Sequence, residues 1–135
     1  MSQPKVIAIT PGDPCGIGPE IIARAFLKDA LVAEKASSAP PTAPQITRHC
    51  FVAGDVGLMK KAAMLVDPEA HHLKVVPIAQ ASDAWMQAPG VMPVLQVARL
   101  DAHLPWGQID ARAGRFAGEC VLWAAQAALQ KQIAA

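Results

Sequence analysis

The chain has 135 residues, 53% of them apolar and 17% charged, with a formal net charge of +1. That length suits one domain with its own core. The near-neutral balance, with no basic stripe and no basic run interleaved with aromatics, gives no case for nucleic acid or an anionic membrane surface.

The first element is a strand, Val6 to Thr10, too short to span a bilayer and followed at once by prolines and glycines. It therefore reads as neither a membrane span nor a secretory leader. Cys15, Cys50 and Cys120 are odd in number, widely spaced and without a CxxC pair. This agrees with a reducing compartment, and the chain is expected to be cytoplasmic.

The stretch Pro11 to Glu20, PGDPCGIGPE, holds three prolines and three glycines in ten residues, so the chain must turn there. A helix follows, expected over Pro19 to Leu31. Pro19 suits a first helical position, Glu20 places a negative charge in the first turn, and Ile21, Ile22, Ala25 and Phe26 share one face. Strand, glycine-rich turn and helix bring backbone N–H groups to the carboxyl end of a strand. Gly12, Gly16 and Gly18 would admit a phosphate or carboxylate, and Asp13 a cation or hydroxyl. A tight connection without a ligand explains the same pattern. There is no GxGxxG and no Walker Lys-Ser/Thr, so neither of those nucleotide mechanisms transfers. Cys15, near a helix start, would have its thiolate favoured.

Residues 36–44, ASSAPPTAP, read as a surface loop inserted within one domain. A second strand, His49 to Ala53, leads through Gly54 to Asp55, the N-cap of a helix whose apolar face is Leu58, Met59, Ala62 and Leu65, with Lys60 and Lys61 turned to solvent. A third strand spans Leu73 to Ile78, and Pro77 places it near an edge. Ala79 to Gly90 is weakly patterned. Val91 to Leu100 is expected to be a strand interrupted at its start by Pro93, and Asp101 to Ile109 a turn. The last helix, near Asp110 to Ile133, carries a core-facing stripe of Phe116, Cys120, Trp123 and Ala127. The alternation favours an open, mainly parallel α/β sheet, with ligands at the carboxyl ends of the strands.

His49, His71, His72 and His103 lack the spacing of a helical metal site. The adjacent His71 and His72 are expected on opposite sides of a strand, and the histidines in general at solvated or edge positions. No nucleophile elbow is present. Asp13, Asp55, Asp101 and Asp110 are not paired in sequence, and Asp13, among strained turn residues, is the best placed of them.

Taken as a string, TPGDPCGIGPEII resembles the amino terminus of the 4-hydroxythreonine-4-phosphate dehydrogenase family of vitamin B6 biosynthesis. Its members open with a strand and a PGDPxGIGPE signature, with Cys15 at the variable place. A shorter PGDGIGPE version is similar to the start of the isopropylmalate and isocitrate dehydrogenases, which share the fold. Ala53-Gly54-Asp55, and Gly107, Gln108 and Gly114 before a long helix, also fit the family's order.

The resemblance implies an isopropylmalate-dehydrogenase-like α/β fold, a mainly parallel sheet flanked by helices and incomplete here. Residues 1–135 would be the amino-terminal part of one dehydrogenase domain, with a Pro/Ala/Ser-rich insertion near 33–45. It implies oxidation of 4-phosphohydroxy-L-threonine with NAD or NADP to a 3-oxo acid that loses carbon dioxide. A divalent metal (zinc, magnesium or cobalt) held by histidines would polarise the alcohol oxygen.

A homodimer acting on a small phosphorylated substrate is implied as well. The family's metal histidines and its substrate and phosphate contacts lie beyond the last helix read here. No catalytic or metal-ligating residue is therefore assigned, and the 135-residue chain alone is expected to be inactive. Gly12, Asp13, Pro14, Gly16 and Gly18 are the candidate cofactor-binding residues, as the cleft floor near nicotinamide or metal. The alternatives are a dehydrogenase of another phosphorylated four-carbon acid, a stand-alone phosphate-binding module, or an inactive remnant.

Overall fold

A computed structural model describes residues 5–36, 45–101 and 104–135. The chain runs β1 (Ile7–Ile9), α1 (Gly18–Lys35), β2 (Cys50–Gly54), α2 (Val56–Val66), β3 (Lys74–Ile78), a 3-10 helix (Ala81–Met86), β4 (Val91–Gln96) and α3 (Ala111–Leu129). All strand pairs are parallel, in the order β1-β2-β4-β3. This is the α/β class expected from the alternation of strands and helices.

The sheet divides two apolar layers by the alternation of side chains along each strand. Cys50 and Val52 of β2 and Met92 and Val94 of β4 face Ile22, Ala23 and Phe26 of α1 and Leu58, Met59 and Ala62 of α2. Phe51, Ala53 and Ile78 face the other way, toward Ala81, Ala84 and Ala127. Helix α3 serves both layers: Phe116 and Cys120 join the first, while Ala127 and the half-buried Trp123 join the second. The Trp123 ring meets Phe51 edge-on at 6.1 Å. The stripe read from sequence is thus the buried face of α3. Each such large side chain, once fully buried, contributes roughly 1.5–3 kcal/mol.

Several boundaries and faces differ from the sequence reading. Helix α1 continues to Lys35 rather than Leu31, because nothing between them breaks a helix. Its buried face is Ile22, Ala23 and Phe26, while Ile21 is exposed. On α2, Leu58, Met59 and Ala62 are buried as expected, but Leu65 is exposed. The segment over 37–44, which holds most of the expected insertion, lies outside the described residues, as does His103.

Pro77 lies in the edge strand, β3, where a missing donor is tolerated. Pro93 does not interrupt β4, which is internal to the sheet. It pairs with Val76 of β3, and the ladder to β2 begins one residue later at Val94, so its absent N–H falls before that ladder starts. Strand β4 ends at Gln96 rather than Leu100. The weakly patterned stretch after β3 contains the 3-10 helix, closed by reciprocal bonds between Gln80 and Asp83.

Helix α3 stops at Leu129, short of Ile133, and Lys131 turns the chain through a left-handed conformation (φ 61°). The last residues then lie along the free edge of β1 in the same direction. Ala134 N donates to the Val6 carbonyl and Ala8 N to that of Ala135, each at 2.8 Å. Ile133 is buried in the second layer. Among the described residues, no helix is long and apolar enough to cross a membrane.

Candidate functional site at the carboxyl edge of the sheet

Residues 11–17 carry the chain from the carboxyl end of β1 into α1. Pro11 and Pro14 are buried and Gly12, Asp13 and Gly16 exposed. Gly12 adopts φ +70°, a left-handed conformation that favours glycine, and the space where its Cβ would stand is open. Asp13 holds the turn from inside. Its Oδ1 accepts from Cys15 N at 2.8 Å, and its carbonyl accepts from Gly16 N at 3.0 Å. Asp13 is therefore committed to the turn through one carboxylate oxygen rather than standing as a bare acceptor.

Gly18 is required for closeness: a Cβ there would run into the Pro11 carbonyl oxygen. Gly54, at the end of β2, has the Pro11 ring 3.1 Å from its own Cβ position. Pro11 is thus seated between two glycines from different elements. Glu20 in the first turn of α1 is held by Arg24 at 2.7 Å.

At the ends of β2 and β4 a second network meets the first. Asp55 caps α2, its Oδ1 accepting from Leu58 N at 2.8 Å, while its Oδ2 accepts from Gln96 Nε2 at 2.8 Å. Gln96 Oε1 accepts from Val56 N at 2.8 Å, and the same amide donates to the Ala98 carbonyl at 2.7 Å. The loop after β4 returns over the glycine-rich turn, where Gly107 N donates to the Cys15 carbonyl at 2.8 Å. Asp110 caps α3 and pairs with Arg112 at 2.9 Å, and Arg112 reaches Asp101 at 3.2 Å. The Arg112 guanidinium beside Asp110 holds that carboxyl below its ordinary range.

Two hollows flank the half-exposed Trp106. One, of about 280 Å³, is lined by Pro14, Asp55, Lys61, Leu100 and Asp101. The other, of about 340 Å³, runs along Pro14, Gly16, Pro19 and Leu65. Pro14 and Gly16 thus line space at this edge, whereas Gly18 acts through packing. Gln96, Trp106 and Arg112 belong to the same edge and were not singled out from sequence. A polar residue ending an apolar strand, as Gln96 ends β4, was the available signal.

The Cys15 thiol is buried, and burial, with Asp13 and Asp110 nearby, pushes it up. This corrects the expectation of a favoured thiolate, since desolvation and nearby carboxylates act against charge on the sulfur.

The histidines are elsewhere. His71 and His72 lie in the turn before β3, not on opposite sides of a strand, with rings edge-on at 6.2 Å. His49 is half-buried and stacked on Trp85 at 3.7 Å, not simply solvated. Among the described residues, no group of three or more His, Cys, Asp and Glu side chains could hold a metal ion.

No family model matches the chain. Over 135 residues it is 32% identical to D-threonate 4-phosphate dehydrogenase of Salmonella typhimurium, covering 98% of this chain and 36% of that one. Over 137 residues it is 30% identical to 4-hydroxythreonine-4-phosphate dehydrogenase of Trichlorobacter lovleyi, covering 100% and 36%. A solved structure from Salmonella typhimurium, assigned to 4-hydroxythreonine-4-phosphate dehydrogenase, superposes with a TM-score of 0.69 at 30% identity, covering 96% of this chain and 36% of that one. The chain is similar to one part of the 4-hydroxythreonine-4-phosphate dehydrogenase family. It spans about a third (36%) of the length of these relatives. The likeness to these dehydrogenases covers nearly the whole chain, including the glycine-rich turn and all four parallel strands.

Proposed function

We propose that this chain supplies the first strand–turn–helix unit, and with it part of the cleft floor, of a dehydrogenase for phosphorylated four-carbon hydroxy acids. The observation that carries the reading is the loop 11–18. It is seated by Gly18 and Gly54 around Pro11, opens at Gly12 and Gly16, and lies at the carboxyl edge of a parallel sheet, where ligands of such sheets bind.

In this reading a bound NAD or NADP would supply the hydride acceptor for the alcohol carbon, and a bound divalent metal would supply polarisation of the alcohol oxygen. The described residues do not form a donor set for that metal, so no step is assigned through it. The chain's own contribution is positional. Gly12 and Gly16 keep side chains out of the way of a ligand, Asp13 fixes the turn, Pro14 walls the hollow beside Trp106, and Gly18 lets α1 approach β1. The active assembly is a homodimer in the cytoplasm.

Two substrates fit this reading. One is 4-phosphohydroxy-L-threonine, whose oxidation gives a 3-oxo acid that loses carbon dioxide on the route to pyridoxal 5'-phosphate. The curated relatives favour keeping a second, D-threonate 4-phosphate, since that is the substrate named for the Salmonella typhimurium protein.

A chimera tests the proposal. The matching third of the Salmonella typhimurium D-threonate 4-phosphate dehydrogenase is replaced by this chain, and NAD(P) reduction is followed with each substrate. Turnover of at least one is expected. A chimera that folds and dimerises like the parent but reduces no cofactor with either would overturn it. The 135-residue chain by itself is expected to show no metal-dependent NAD(P) reduction.

A further inference from the structure

A cavity of about 380 Å³ lies at the opposite, amino-terminal edge of the sheet, between the segment entering β2 and the segment joining the 3-10 helix to β4. Its volume falls within the range of about 300–1,000 Å³ that holds small ligands. Asp29 of α1 lines it and is only 7% exposed. Thr47 commits one oxygen of that carboxylate: its N donates to Oδ2 at 2.7 Å and its Oγ1 at 2.6 Å. Oδ1 receives no hydrogen bond from a described residue. A largely buried carboxylate, held rigidly through one oxygen, is left with acceptor capacity on the other.

Arg48 lines the same cavity, and no ion pair joins it to Asp29 or to another described carboxylate. Besides Gln45, Thr47 and Gln87, the lining includes apolar and aromatic side chains. Phe26 and Pro93 contribute buried surface, and His49 lies flat on Trp85 with 11° between the rings. Among the described residues, a carboxylate with one oxygen free of hydrogen bonds, a guanidinium without an ion pair and an apolar part of the wall complement a small molecule that carries both charges and an apolar body.

We propose that this cavity binds a free α-amino acid with an apolar side chain, its ammonium on Asp29 Oδ1, its carboxylate on Arg48, and its side chain against Phe26 and Trp85. The site lies across the sheet from the glycine-rich turn and does not depend on the dehydrogenase reading. Asp29 retains its structural bond to Thr47 when the site is filled, because the ligand uses the other oxygen.

The test is a titration of the 135-residue chain followed by heteronuclear NMR, with L-phenylalanine, L-phenylalaninamide (no carboxylate) and 3-phenylpropionate (no ammonium) as probes. L-Phenylalanine is expected to give saturable shifts at the His49 amide and the Trp85 indole. Each single-charge analogue is expected to bind about tenfold more weakly or worse, the usual scale for losing one charge-assisted contact. Asp29→Asn, which keeps an oxygen for Thr47, should weaken L-phenylalanine by a similar factor. Arg48→Gln should weaken L-phenylalanine but leave L-phenylalaninamide unchanged. If Asp29→Asn fails to fold, the Arg48→Gln contrast decides. The proposal is overturned if L-phenylalanine gives no saturable shift at these signals. It is equally overturned if 3-phenylpropionate binds as well as L-phenylalanine, or if Arg48→Gln weakens both amine probes alike.

Discussion

The three glycines of the signature loop should respond to alanine in a definite order, because each is glycine for a different reason. At Gly18 an added Cβ would meet the Pro11 carbonyl oxygen, and Pro11 cannot retreat freely because its ring already lies 3.1 Å from the Cβ position of Gly54. Overpacking against fixed backbone costs about 1–3 kcal/mol or more, and the better helix propensity of alanine offsets at most about 1 kcal/mol. A net loss of about 2 kcal/mol is expected, a sizeable part of the roughly 5–15 kcal/mol by which domains are stable. At Gly12 the space is open but φ is +70°, so alanine costs about 1–2 kcal/mol from conformation alone. At Gly16 the nearest atom, the Asp13 carbonyl oxygen, would be 3.4 Å away and φ is not left-handed, so alanine should be close to neutral.

Urea denaturation of the chain and its three variants, read as midpoint and slope together, measures the order Gly18 > Gly12 > Gly16. Should Gly18→Ala be as stable as the parent, or Gly16→Ala the most damaging, the described packing of the loop is wrong. The same variants in the chimera separate contact from packing. Gly16→Ala is the informative one, since a change in kcat/KM without a change in stability reports approach of a ligand to that part of the loop.

Four further outcomes are expected. Asp55→Ala removes the α2 cap and frees Gln96 and Leu100, so urea midpoints should fall by the equivalent of about 2 kcal/mol, with Asp55→Asn recovering part of it. Backbone bonds from His72, Leu73 and His71 hold the Asp67 carboxyl below its ordinary value, so its contribution is present above the usual carboxylate range and disappears as pH falls through the lowered value. The Glu34 carboxylate at 2.8 Å raises His72, so that pair contributes below the ordinary histidine value and is lost as pH rises through the raised one. Glu34→Gln should therefore lower the urea midpoint near about pH 5.5 and change it little near about pH 8.5. Burial pushes all three thiols up, Cys120 to about 11. Thiol reagents should label the native chain only as fast as it opens, and rapid labelling of Cys15 alone would contradict the buried turn.

What was legible in the sequence and what was not divides along a physical line. The glycine-rich turn and the starts of α1 and α2 were readable because proline, glycine and a capping aspartate act locally: Pro19 sits in the first turn and Asp55 reaches Leu58 three residues on. The core stripe of α3 was readable because period alone defines a face. Strand order was not, since nothing local to Val91–Gln96 says that it will insert between β2 and β3. Nor did Pro93 reveal that the ladder to β2 starts one residue beyond it.

The buried carboxylates were the least legible features, because a charged residue in an amphipathic pattern is read as solvated. Asp29 lies on the buried face of α1, and its partner Thr47 is 18 residues away. Asp67 is paid for by three consecutive backbone donors that exist only once the turn into β3 has formed. The same asymmetry separates the two sites. The carboxyl-edge loop is written in consecutive residues and carries a family resemblance, whereas the amino-edge cavity is assembled from α1, the entry to β2 and the segment before β4. A cavity of the second kind leaves no signal in consecutive residues, so the presence of Asp29 and Arg48 in one lining had no counterpart in the sequence pattern.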